Sequence, residues 1–287
     1  MGSRAQMRIC LIIILLCTSM VAADVPLQFA VPAMQSGLAK LEQWTPMVEY
    51  LERKCNFEIN LLIVKDHWEL IEGLRNRFYD VGFMNALWEH RLTREGDFLP
   101  RARLTVGGFD HYFTHIIVNK DSVFRRIDEL SGDYFALTVP YESLGGFYIP
   151  LLMCRQAGIE ASEVFRQVVF SETYMSILKG VAFGVIEAGA VTSDVLNSPG
   201  MKEYSSEVRN VGISKALPHW SMVAYRSHKS VRVNRFIREL IEMNLDPEGV
   251  RILDEAGYTG FVPVEDTFDT IPPDYLDMIE EIDALPR

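Results

Sequence analysis

Two stretches of this chain repeat one pattern, and that repeat limits the available folds more than any other feature. "VKDHWELIEGLRNRFYDVGFM" begins at Val64 and "FSETYMSILKGVAFGVIEAGAV" begins at Phe170. In the first, seven positions separate Asp66 from Gly73, and seven more separate Gly73 from Asp80. In the second, the same intervals run from Thr173 to Gly180 and from Gly180 to Glu187. An acid then precedes a small apolar strand in both, Asp80-Val81-Gly82 and Glu187-Ala188-Gly189. Val31-Pro32 and Val139-Pro140 echo each other near the starts of the two halves. Each copy reads as strand, helix, strand. Asp66 with Glu69 makes a capping box for the first helix, and Ser171 or Thr173 caps the second. Trp68, Ile71, Leu74 and Phe78 recur at helical spacing, as do Met175, Leu178 and Val181, and are expected to pack inward.

The same alternation extends along the chain, so the fold class expected is α/β, with each half a sheet flanked by helices. Two similar halves imply two lobes and a cleft between them. In open α/β sheets ligands sit beyond the C-terminal strand ends, at helix N-termini. The matched register puts His67 and Tyr174 at equivalent first-turn positions, facing each other across that cleft. Asn85, just after the strand expected at Val81 to Met84, lines the first-lobe wall. In the second lobe, Ser143-Leu144-Gly145-Gly146 joins a strand expected at Tyr134 to Val139 to a helix expected at Phe147 to Ala157. A small-residue turn at a helix start exposes backbone N–H groups, which suits an anion. Leu144 stands where an anion site favours a hydroxyl.

The N-terminus reads as an export signal. Arg4 and Arg8 precede an apolar run of nine residues, Ile9 to Cys17, and small residues follow up to a cleavage point after Ala23. Nine apolar residues are too few to span a bilayer, which needs ~20. Loss of residues 1–23 takes the formal net charge from −11 to −13, because Arg4 and Arg8 leave and no acid does. Such a charge argues against nucleic acid or an anionic membrane surface as partner. Cys55 and Cys154 remain, in different lobes, and are expected to be buried free thiols. Neither G-x-S-x-G, a P-loop nor H-E-x-x-H occurs. On a strand, His111 and His115 stand ~13 Å apart, too far to share a metal ion. No enzyme activity, metal or cofactor is expected.

At this point the residues resemble a family. "WTPMVEYLERK", "EGLRNRFYDVGFMN", "YFTHIIVNKDS", "SLGGFYIPLLMCRQAGI", "GVIEAGAVTSDVL" and "GYTGFVPV" occur in the order found in periplasmic substrate-binding proteins of phosphate, phosphite and phosphonate ABC transporters. The resemblance implies a type 2 periplasmic binding protein, two-lobed and hinged, with a ligand cleft between mixed sheets. It assigns residues 24–119 and 222–287 to lobe 1 and residues 120–221 to lobe 2, with hinge crossings near Thr114–Asn119 and Ser221–Tyr225. It implies a periplasmic monomer that closes on a small molecule and presents it to an ABC permease. The same module also serves sensor kinases, and nothing in the sequence separates the two partners.

The site departs from the family pattern. The family's anion loop typically reads Ser-Thr-Ser-Gly, against Ser143-Leu144-Gly145-Gly146 here. Tyr174 replaces a histidine at the second-lobe helix start, His67 replaces a tyrosine in the first lobe, and Trp220 stands where an acid is frequent. Tyr112 matches a family tyrosine. Two readings stay open. In one, Ser143, the Gly145 and Gly146 amides, Tyr112 and a charged His67 hold an oxyanion such as a phosphonate. In the other, Leu144, Tyr174, Trp220 and Tyr112 form an apolar, aromatic box for a larger or less charged ligand, a quaternary ammonium included.

Overall fold

The computed structural model describes residues 25–33, 36–226, 230–264 and 271–284. The expected signal peptide, residues 1–23, lies outside them. Among the described residues no helix is long and apolar enough to cross a membrane.

Two sheets carry the architecture. The first contains β1 (Leu27–Pro32), β2 (Ile59–Val64), β3 (Val81–Met84), β4 (Phe98–Thr105), β12 (Ser221–Tyr225) and β13 (Gly260–Pro263), in the order β13-β4-β12-β3-β1-β2. The second contains β6 (Thr114–Asn119), β7 (Gly132–Leu137), β8 (Phe165–Phe170), β9 (Ala188–Thr192) and β10 (Val208–Ile213), in the order β10-β6-β9-β7-β8. In each sheet three strands run parallel, and an antiparallel strand joins the third: β12 beside β3, and β6 beside β9. Between the sheets, β5 (His111–Tyr112) and β11 (Leu217–Pro218) pair as a short antiparallel ribbon.

The sequence repeat is a repeat of hydrogen bonds. Asp80 accepts from the Gln28 amide at 2.8 Å, and Glu187 accepts from the Tyr134 amide at 2.7 Å. Each acid thus ties the start of one parallel strand to the neighbour it will pair with, Phe29 with Val81 and Phe135 with Ala188. Gly73 and Gly180 sit at matching helix ends, where their carbonyls accept from Phe78 and Tyr79 and from Val185 and Ile186. A Cβ on either glycine would strike the returning chain, 1.9 Å from the Tyr79 ring or 2.5 Å from Ile186. The Val-Pro echo is out of step with this register, because Val31 lies within β1 whereas Val139 lies beyond the end of β7.

The helix Gly37–Cys55 covers the first sheet with Trp44, which meets Phe29 and Phe83 edge-on at 5.1 and 4.9 Å. A second buried apolar cluster is continuous across both lobes. It contains Leu70, Trp88 and Leu92 from the first and Leu144, Tyr148 and Leu152 from the second. Cys55 and Cys154 are free and buried, and burial pushes both thiols up to about 12.

Several expectations need correction. Thr114–Asn119 is an interior strand of the second sheet, flanked by β9 and β10, so the chain crosses before it, at the β5 ribbon. Ile116, Ile117 and Val118 are all fully buried, which an interior strand covered on both faces permits and a linker does not. Residues assigned to lobe 1 also return to lobe 2. The helix Pro273–Asp283 packs on the helix Ile149–Gln156, and the Tyr275 hydroxyl accepts from the Lys215 amide at 3.1 Å. Trp68, Phe78 and Met175 do not face inward: they are 52%, 68% and 47% exposed. Trp68 is the second residue of its helix and Met175 of its own, so both stand at the rim rather than over the sheet.

Candidate functional site

Two side chains of the first lobe, His67 and Asn85, meet the second lobe at Glu142, next to Ser143. His67 is the first residue of the helix His67–Arg75, whose N-cap Asp66 accepts from the Glu69 amide. Tyr174 is the first residue of the helix Tyr174–Ala182, capped by Thr173. The equivalence predicted from the repeat therefore holds to the residue. His67 Nδ1 lies 2.7 Å from Glu142 Oε2, and the Tyr174 hydroxyl lies 3.1 Å from Ser143 Oγ. Asn85 adds a second inter-lobe bond, donating through Nδ2 to the Glu142 carbonyl at 2.9 Å, while its Oδ1 caps the helix Ala86–Thr93.

Glu142 is aimed by backbone strain. Tyr141 adopts φ 61°, a left-handed conformation that a bulky residue enters at a cost of about 1–2 kcal/mol. Its ring packs on Phe147 at 5.0 Å, which holds the turn in place. Strain of this kind persists where surrounding contacts over-determine it.

Ser143 caps the element that follows. A π-helical turn, Leu144–Tyr148, runs directly into the helix Ile149–Gln156, and Ser143 Oγ accepts from the Gly146 amide at 3.1 Å. Tyr112 and Tyr174 press on this turn. A Cβ on Gly145 would fall 2.7 Å from the Tyr112 ring, and one on Gly146 would fall 1.9 Å from Thr138 Oγ1 and 2.8 Å from the Tyr174 ring. Thr114 Oγ1 donates to the Gly145 carbonyl at 2.8 Å. Leu144 is fully buried and belongs to the continuous core.

His67 does not fit the role of a charged anion ligand. It is fully buried, stacked on Trp88 at 5.3 Å and 3°, with Trp220 tilted against it at 5.4 Å. Burial lowers its pKa, against the opposing pull of Glu142. The neutral imidazole donates from Nδ1 to the carboxylate, which leaves Nε2 as an acceptor. Trp220 is accordingly part of the first-lobe wall around His67 and Phe83, apart from the tyrosine-flanked turn.

Four further polar residues join the cluster. Thr138 Oγ1 is buried beside Tyr174, and Glu142 bridges the lobes. His219, in the crossing next to Trp220, lies with its ring 5.1 Å from Tyr112 and its Nε2 3.7 Å from Asp194 Oδ2. Burial raises Asp194 to about 6 and lowers His219 to about 4. Burial also raises both tyrosines, Tyr112 well above the usual phenol value, so each keeps its O–H as a donor. A signal for Asp194 lay in "GVIEAGAVTSDVL": it is the acid in the first turn after β9. Glu142, adjoining the serine turn, carried no signal of its own.

The profile of the family described as "ABC transporter, phosphonate, periplasmic substrate-binding protein" matches residues 29–267. The chain belongs to this family. It is a family of substrate-binding proteins, not of enzymes, and its members are periplasmic. A phosphonates-binding periplasmic protein of Escherichia coli is 25% identical over 128 residues, which are 43% of this chain and 38% of that protein. Two crystal structures share the fold. A binding protein component of an ABC phosphonate transporter from Pseudomonas aeruginosa gives a TM-score of 0.68 at 15% identity, covering 91% of this chain and 86% of that one. PhnD1 from Prochlorococcus marinus, in complex with methylphosphonate, gives 0.72 at 15% identity, covering 90% and 98%. The type 2 periplasmic binding fold thus extends to this member, with its mixed sheets and helices.

Proposed function

We propose that this chain is the solute-binding component of an ABC-type importer and captures a small, phosphonate-like oxyanion by closure of its two lobes. The observation that carries this reading is the meeting of His67 and Asn85 of the first lobe with Glu142 of the second, beside a serine-capped turn flanked by two phenols. Family membership supports it independently. In this mechanism the ligand docks on the second lobe at Ser143, Gly145 and Gly146, with Tyr112 and Tyr174 supplying hydrogen bonds. The lobes rotate about the β5–β11 ribbon, and His67 and Asn85 close on Glu142. The closed form, a monomer, is what the permease recognises. Ligand shifts the equilibrium only by its differential affinity for that form.

A thermal-shift screen of the signal-free protein tests the reading, with phosphate, phosphite, methylphosphonate, sulfate, betaine and choline as probes. A ligand at ~100 times its Kd stabilises by about 2.7 kcal/mol. Stabilisation by at least one oxyanion, lost in Ser143→Ala, is expected. Stabilisation by betaine or choline alone overturns the oxyanion reading in favour of the aromatic box.

A further inference from the structure

Gly145 and Gly146 are not at this turn for backbone reasons, since neither adopts a positive φ. They are there for room. A Cβ at residue 145 would meet Tyr112 Cε2 at 2.7 Å, its hydroxyl at 3.0 Å and Thr114 Oγ1 at 3.0 Å. With glycine, the Tyr112 hydroxyl settles on the turn, where the Gly145 amide acts on it. The Gly146 amide is taken up by Ser143 Oγ, which shares a second hydrogen bond with Tyr174. The Gly146 donor is thus turned toward a hydroxyl oxygen, and Tyr112 brings a second hydroxyl against the turn. Chains of this type polarise one another, but every donor in them is neutral.

The charges nearby are negative. Glu142 adjoins Ser143, and Asp194 acts on both Tyr112 and Tyr174. The arginines that act on His67 and His219 are matched: Arg91 pairs with Asp283, and Arg103 pairs with Glu89 at 3.2 Å. His67 is held neutral by burial. Two buried imidazole nitrogens, His67 Nε2 and His219 Nε2, have no hydrogen-bond partner among the described residues. A desolvated double charge needs either a cation or a dense set of donors, and like charges placed near it cost several kcal/mol.

We infer that Gly145 sets the charge of the ligand: by admitting the Tyr112 hydroxyl onto the turn, it makes the site prefer a singly charged tetrahedral headgroup to a doubly charged one. The inference rests on the reading that the protein binds a small oxyanion. Methanesulfonate and methylphosphonate test it by calorimetry, at a pH above the second ionisation of the phosphonate. The two anions then share a shape and differ by one charge. The native protein is expected to bind methanesulfonate tighter by about tenfold or more. Gly145→Ser displaces Tyr112 and adds a hydroxyl to the turn, so the ratio moves about tenfold toward the dianion. Tyr112→Phe keeps the ring but removes the hydroxyl, so it weakens methanesulfonate and moves the ratio in the same direction as Gly145→Ser. A native preference for the dianion overturns the inference. So does an unchanged ratio in Gly145→Ser that retains the native circular dichroism and melting transition. Failure of both anions to bind native protein, Gly145→Ser and Tyr112→Phe alike overturns the oxyanion reading itself, and this inference with it.

Discussion

Replacing Glu142 by alanine removes one of the bonds between the lobes and spares the one beside it. The carboxylate bond to His67 Nδ1, at 2.7 Å, is lost, whereas the Asn85 bond goes to the Glu142 carbonyl and survives. A hydrogen bond to a charged group contributes about 1.5–3 kcal/mol. Here the donor is fully buried and Glu142 has 18% of its side chain exposed, so water does not readily replace the lost acceptor. The closed form should therefore weaken by about 2 kcal/mol, or about 30-fold in the closed-to-open ratio. For a protein that is mostly open before binding, the apparent Kd rises by the same factor. Spin labels placed on the outer faces of the two lobes read the change directly, as a shift of the inter-lobe distance distribution toward longer values. Asn85→Ala serves as the second perturbation, since it removes the other bridge and leaves His67 paired. If Glu142→Ala changes neither the distance distribution nor the affinity, the bridge makes no contribution to closure and the reasoning fails.

Three other perturbations follow from the geometry. Asp80→Ala and Glu187→Ala each strip a strand amide, Gln28 or Tyr134, of its charged acceptor; each should cost about 1.5–3 kcal/mol in denaturant unfolding, and the double variant should be additive because the sites lie in separate sheets. Gly146→Ala drives a Cβ against Thr138 Oγ1, 1.9 Å away, and should destabilise by about 1–3 kcal/mol; Thr138→Ala in the same chain should restore part of the loss in a thermal melt. His219, lowered from 6.5 to about 4, alone makes folding lose stability as pH falls through that window, while Asp194, raised from 3.8 to about 6, alone makes it lose stability as pH rises. Between about pH 4 and 6 the proton that unfolding adds to His219 is the one it takes from Asp194, so the pair should leave stability flat. Asp194→Asn should expose a slope of about 1.4 kcal/mol per pH unit in that range, and no added slope would refute the assignment.

The repeat was legible because its physical cause is local. An acid one residue before a strand and a glycine seven residues earlier are short-range requirements, and each leaves a fixed mark in the sequence. The helix starts at His67 and Tyr174 were legible for the same reason, since their caps at Asp66 and Thr173 lie within one turn. The inward faces were misread where helical spacing alone was used: Trp68, Phe78 and Met175 keep the period but lie beyond the area the sheet covers. The crossing was misplaced because a buried interior strand and a crossing strand look alike in sequence. Only the pairing of Thr114–Asn119 with strands about 70 to 100 residues away separates them.

Glu142 was not legible at all, and the reason is instructive about the site. Its partner is 75 residues distant, and its direction depends on a left-handed Tyr141 that no spacing rule predicts. Yet the repeat explains why the contact falls there. His67 and Tyr174 start equivalent helices in the two lobes; Tyr174 holds Ser143 within its own lobe, and His67 reaches the adjacent Glu142 from the other. The two copies have diverged in chemistry around that shared point. The first lobe offers a neutral imidazole in an aromatic wall, and the second offers a phenol beside a capped turn. On the proposed function, a substitution at His67 acts on closure and one at Tyr174 acts on ligand contact. Comparing inter-lobe distance with binding enthalpy in the two single variants separates those roles.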